Sequence, residues 1–126
     1  MAKNPGIRQG DIFWLNDCPP LAGHVAKRRP VIVISPPGEL EAPALVLVVA
    51  TSSSALANEA DRIALPNRQE EPQTKTGLPR ACWAVPRWYL LVGHERLTER
   101  IGFLRGSLLT RLLTAVDRRM KSDGVK

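Results

Sequence analysis

The apolar residues of this chain come in short runs cut by proline and glycine, and only the last run has helical spacing. Ile12–Leu15, Val31–Ile34 and Ala44–Thr51 are rich in β-formers, and Pro19-Pro20, Gly23 and Pro36-Pro37-Gly38 divide them. No helical crossover separates the runs, so the strands must close on one another rather than lie parallel in an open sheet. The expected strands are Asp11–Asn16, Pro30–Ser35, Ala44–Thr51, Arg62–Leu65, a region within Ala81–Val92, and Ile101–Leu104. Pro30 opens its strand, and Pro86 marks a bulge or an edge. Ala44–Thr51 (ALVLVVAT) is too continuously apolar to face water on one side. Asp17–Arg29, Ser52–Ala60 and Asn67–Gly77 read as loops, the last charged and mobile, and Glu95–Arg100 reads as a short helical or turn segment. Ser107–Lys121 reads as a helix. Ser107 is its N-cap. Leu108, Leu109, Leu112, Leu113, Val116 and Met120 form one face, and Arg118, Arg119 and Lys121 complement the dipole in the last turn. The expected fold class is mainly β with α, a small barrel of five to seven short strands with a C-terminal helix outside it.

A length of 126 residues fits one domain, 1–126, with 1–9 as a polar leader and 122–126 as a tail. No uninterrupted apolar run reaches about 18 residues, so no membrane helix is expected. The N-terminus lacks the apolar region of a signal peptide, which points to the cytoplasm. Cys18 and Cys82 have no metal-ligand spacing and read as reduced, structural thiols. A net charge of +6 and a pI near 10.0 point to nucleic acid first and an acidic protein second, and both can hold. A merely solvated basic surface is the alternative.

Between the first two strands stand a histidine, His24, and three consecutive cations, Lys27, Arg28 and Arg29. An arginine just before a buried strand is held at its base, so its guanidinium can be aimed. A histidine beside it titrates near neutral pH. Together they make an anion site with a proton carrier, and a phosphodiester is the natural ligand. Aromatic residues are only 5% of the chain, yet three are tryptophans. Trp14 and Trp83 lie inside strand-like runs and read as core or interface. Trp88, flanked by Arg87 and Tyr89, is a candidate for stacking on a base, with core packing as the alternative.

The ordered set GDIFWLN, AGH, RRPVIVIS, VVATS, GLP and RL..RIG.L before a terminal helix resembles the MazF/PemK/Kid family of toxin endoribonucleases, from Gly10 to about Val116. The resemblance implies an SH3-like barrel with a C-terminal helix, acting as a homodimer. It also implies cleavage of single-stranded RNA, usually mRNA, as the toxin of a type II toxin–antitoxin pair. The cognate antitoxin would lay an acidic tail in the RNA groove. No cofactor or metal is implied, and the chain lacks the Asp/Glu cluster of a two-metal nuclease.

In that chemistry the RNA 2′-OH attacks the adjacent phosphorus, leaving a 2′,3′-cyclic phosphate and a 5′-hydroxyl. The enzyme moves two protons and stabilises the phosphorane. Arg29 matches the family's arginine before the strand proline, and its fork suits phosphate oxygens. Thr51 matches the threonine or serine ending the third strand. His24 matches the AGH histidine of the Kid branch, as an acid or base. Arg80, in GLPRACW, is a phosphate ligand or general acid. Lys27, Arg28, Ser52, Ser53, Arg87 and Trp88 are the accompanying RNA-binding candidates. Two departures matter: there is no carboxylate near Val25, and none after GLP, where Arg80-Ala81-Cys82 stands in place of the Kid branch's Arg-Cys-Asp. Either His24 takes the base role, or activity is weak, or the chain only binds; Asp17 is the nearest carboxylate upstream that could substitute. A member that binds RNA or antitoxin without cleaving it is the first alternative. A gyrase-directed toxin like CcdB, which shares the fold, is the second, but the ending KSDGVK lacks that protein's aromatic and apolar terminus.

Overall fold

The structure is a computed structural model that describes residues 6–20, 26–41, 44–53 and 61–124. Six antiparallel strands form one sheet: β1 Asp11–Cys18, β2 Lys27–Val33, β3 Leu45–Ser52, β4 Ile63–Ala64, β5 Trp83–Gly93 and β6 Glu99–Phe103. Their order is β4-β5-β3-β2-β1-β6. A helix, α1 Ser107–Ser122, follows. The sheet curls into a half-barrel with β4 and β6 as its edges. Along β6 the loop ahead of β5 takes the place of a further strand: Phe103 N donates to the Lys75 carbonyl at 2.9 Å.

The curl gives the sheet two buried faces. Inside it, Phe13, Leu15, Val31, Val33, Val46, Val48, Ala50, Val85 and Trp88 pack together. On the other face Ile12, Ile32, Ile34, Val49 and Ala84 meet Leu112 and Val116 of α1. Alternating side chains of β2 and β3 serve both clusters, so burial on two faces holds from Val46 to Ser52. It fails at Leu45, which is 55% exposed.

Three local expectations change. Lys27–Arg29 are not loop residues: β2 starts at Lys27, because β1 continues to Cys18 and offers partners to Arg29 and Lys27. Asp17 lies in this extension of β1, at a register shift, with a left-handed φ of 52°. The N-cap of α1 is Gly106, with no side-chain cap, and Ser107 is the first helical residue. Asn67–Gly77 is not a free loop. Asn67 is buried, and its Oδ1 accepts from the Gln69 and Glu70 amides. Thr76 is also buried and donates to the Pro66 carbonyl at 2.7 Å. Two glycines let this loop touch β6. A Cβ at Gly77, whose φ is 67°, would meet the Ile101 carbonyl at 2.2 Å, and one at Gly102 would meet the Lys75 carbonyl at the same distance.

Pro86 sits in a bulge. Val49 pairs with Tyr89 and Thr51 with Ala84, so two steps along β3 face five along β5. A proline lacks the ladder donor, and a bulge is where the ladder does without it. Among the described residues no helix is long and apolar enough to cross a membrane.

Candidate functional site

A cleft of about 160 Å³ opens where β2, the end of β3 and the segment before β5 converge. Lys27, Arg28, Arg29 and Arg80 bring four cations to its lining, beside Trp14, Pro30, Thr51, Ser53 and Leu78–Cys82. No carboxylate is among these residues. Arg28 has a carboxylate partner in Glu99, outside the lining, but the crowding of three further cations on one small concavity still favours an anion there.

The two arginines of β2 reach it from opposite faces of the sheet. Successive side chains of a strand alternate. Arg29 therefore follows the inner core. It is only 5% exposed, its guanidinium carbon lies 4.8 Å from the Trp88 ring centroid, and Nη1 donates to the Thr51 carbonyl at 3.5 Å. An arginine aimed into open solvent is thus not what the fold provides. Arg29 forms part of the cleft floor, rigidly held. Burial lowers its pKa, and the nearby Cys18 opposes that shift, but an arginine starts so high that it remains a cation. Arg28 faces outward. Its guanidinium lies 4.4 Å over the Trp14 ring and donates to Glu99.

Thr51 is 1% exposed and its hydroxyl donates to the Pro30 carbonyl at 2.8 Å. That bond fixes the hydroxyl in the cleft wall and leaves its lone pairs as acceptors. Cys82 is the neighbouring wall residue. Burial pushes its thiol up to about 11, with the Thr51 hydroxyl and Arg80 opposing. Burial also raises the Cys18 thiol. Both cysteines are free and buried, so neither is a thiolate nucleophile at neutral pH.

Arg80 is exposed and lines the cleft. Ser53 lines the cleft, but Ser52 is buried outside its lining. Arg87 is half-buried and also outside it. Trp88 is 2% exposed, with its indole N–H donating to the Pro19 carbonyl at 3.1 Å. Its ring is closed to a nucleobase and instead carries Arg29. Plain strand alternation explains why: Leu90 pairs with the inward Val48, and Trp88, two residues along β5, shares that inner face beneath the guanidinium. Trp14 is the aromatic at the cleft, a role its strand-like context in sequence concealed. His24 and the Val25 position lie outside the described residues. Asp17 is exposed and outside the cleft lining.

Glu99 is the residue sequence reasoning missed. It pairs with Trp14 across β6 and β1, and Trp14 pairs with Pro30 across β1 and β2. Residues opposite one another in a ladder share a face. Register alone therefore brings a carboxylate from the far end of the chain to Arg28. Among the described residues no group of three His, Cys, Asp or Glu is placed to hold a metal ion.

A family profile described as PemK-like, MazF-like toxin of type II toxin–antitoxin system matches residues 8–120. Over 105 residues the chain is 32% identical to endoribonuclease MazF6 of Mycobacterium tuberculosis and to endoribonuclease MazF2 of Mycobacterium bovis. Each match covers 82% of this chain and 87% of the relative. The fold is similar to that of MazF from Deinococcus radiodurans, with a TM-score of 0.66 at 18% identity over 89% of this chain and 94% of that one. It is also similar to a mycobacterial endoribonuclease solved with its cognate antitoxin, with a TM-score of 0.69 at 11% identity over 92% and 96%.

Proposed function

The chain belongs to the PemK-like, MazF-like toxin family of type II toxin–antitoxin systems, and from that premise we propose that its cationic cleft cleaves single-stranded RNA without a metal. It is an endoribonuclease, the activity its curated relatives are named for. The single observation that carries the cleavage reading is the convergence of Lys27, Arg28, Arg29 and Arg80 on one small cleft whose lining has no carboxylate.

The phosphodiester enters with its non-bridging oxygens toward Arg29 and Arg80. The 2′-OH attacks phosphorus in line and the 5′-oxygen leaves, giving a 2′,3′-cyclic phosphate and a 5′-hydroxyl. Charge builds on the equatorial oxygens of the phosphorane. Arg29 stabilises that charge, and because Trp88 and the Thr51 carbonyl already fix its fork, little reorganisation accompanies the reaction. Thr51 orients the phosphate from the wall. Arg80, at the open mouth, is the candidate proton donor to the leaving oxygen. His24 is the candidate base. Lys27 and Ser53 hold the flanking backbone.

The cognate acidic antitoxin competes for the same four cations. The homodimer of the family is favoured by an apolar face at the sheet end, where Leu91 is 64% exposed beside Leu45 and pairs with Leu47. The protein works in the cytoplasm, where mRNA is its substrate. The gyrase reading has no observation in its favour.

The test is an RNA with one 2′-deoxy nucleotide at a mapped cleavage site. Cleavage at that site alone should vanish. Persistence of cleavage there would exclude the 2′-OH as nucleophile and overturn the proposed chemistry.

A further inference from the structure

A carboxylate beside a groove for a polyanion weakens phosphate binding, so Glu99 stands where electrostatics alone would not place it. Its side chain is exposed, and it accepts from Arg28 Nη2 through Oε1. The Arg28 guanidinium in turn lies over the Trp14 ring and lines the cleft. The result is a planar cation and an acceptor side by side on the cleft rim, next to the phosphate ligands. The donors that RNA offers to a carboxylate are the N–H groups of its bases and its 2′-hydroxyls. Bases stack on guanidinium planes and are read on their Watson–Crick edges.

We propose that Trp14, Arg28 and Glu99 form a base-reading subsite, in which Glu99 determines specificity by accepting from an exocyclic amino group while Arg28 donates to the neighbouring ring or carbonyl acceptor. This rests on the RNA-cleaving reading above. Adenine, cytosine and guanine each place an amino group beside an acceptor. Uracil has none, and offers only a ring N–H between two carbonyls. The subsite therefore selects an amino-bearing base and rejects uracil. The Arg28 guanidinium has two contacts, the Trp14 ring and Glu99, so its fork is oriented before RNA arrives. Glu99 is exposed on edge strand β6, so its substitution leaves the core untouched.

Binding separates this subsite from the chemistry. Uncleavable 2′-fluoro octamers of A, C and U are titrated into the wild type, Glu99→Gln and Glu99→Ala by fluorescence anisotropy. The wild type should bind the A or the C octamer about tenfold or more tighter than U, the discrimination of one good bidentate contact. Glu99→Gln presents an N–H in place of an acceptor, and it should shift preference toward U. Glu99→Ala should bind all three alike and somewhat more tightly, having lost a negative charge. An unchanged order of affinities in both variants would overturn the proposal and leave Glu99 as a partner of Arg28 alone. So would a wild type that prefers U. Cleavage mapping of natural RNA by the same proteins keeps the two readings apart. Cleavage with unaltered site preference in Glu99→Gln sinks only the subsite, whereas intact RNA with every variant sinks the endonuclease reading.

Discussion

Arg29 carries both chemistry and packing, and its substitutions separate the two. Its guanidinium is buried on Trp88, so Arg29→Ala empties a packed site and should lower stability by about 1–3 kcal/mol. Cleavage should fall by about a hundredfold or more, the loss typical of one transition-state donor. Arg29→Lys keeps a cation and most of the volume but not the fork. It should melt near the wild type in calorimetry and still cleave poorly. Full activity in Arg29→Lys would mean that the site needs only positive charge. Cys82 gives a pH signature at the same scale. Its folded pKa, about 11, stands above the ordinary value of 9.0 because burial disfavours the thiolate. Between these values the unfolded chain has released a proton that the native state still holds. Stability from this group is therefore fully present below pH 9 and is lost as pH rises toward 11, by about 2–3 kcal/mol. Urea denaturation of wild type and Cys82→Ala across that window should show the alkaline loss reduced in the variant.

Among the elements, the loop docked on β6 is where a single methyl group should do most damage. Gly77→Ala or Gly102→Ala puts a Cβ 2.2 Å from a carbonyl oxygen. Either change should undock the loop 67–77, cost about 2–4 kcal/mol, and open the loop to limited proteolysis that the wild type resists. Resistance in both variants would show that the contact adjusts freely. This loop also marks the limit of what the sequence conveys. Apolar runs identified the strands, and helical spacing identified α1, because burial dictates both patterns locally. The run NRQEEPQTKTG carries no apolar pattern; Asn67 and Thr76 order it by hydrogen bonds to its own backbone. The start of β2 at Lys27 was hidden for a similar reason, since three cations resemble a loop until β1 supplies a partner strand. Arg29, Thr51 and Arg80 were singled out through the family pattern, and the structure places all three in the lining of one cleft. Of the two readings of Trp88, stacking on a base and packing in the core, the fold takes the second, because alternation from Leu90 turns its ring inward; Glu99 was invisible because only strand pairing joins it to Trp14 and Arg28.

At the scale of the molecule, charge and the apolar sheet end make separate demands. The net charge of +6 is partly focused in the cleft, so RNA binding should weaken steeply with salt. Three to four phosphate contacts on a single strand imply a slope of log affinity against log salt of about −2 to −3. A slope near zero would indicate that cations of the cleft do not meet phosphate. Leu91, 64% exposed and facing Leu47 across the ladder, should lie in the interface of the proposed homodimer. Leu91→Asp should yield monomers in analytical ultracentrifugation with the fold retained by circular dichroism. An unchanged dimer would move the interface elsewhere. The central claim is tested most directly by incubating purified protein with a long single-stranded RNA in excess EDTA and identifying the fragment ends. Discrete fragments with 2′,3′-cyclic phosphate and 5′-hydroxyl ends, strongly reduced with Arg29→Lys, are the expected result; intact RNA in EDTA, or fragments with 5′-phosphate ends, would contradict it.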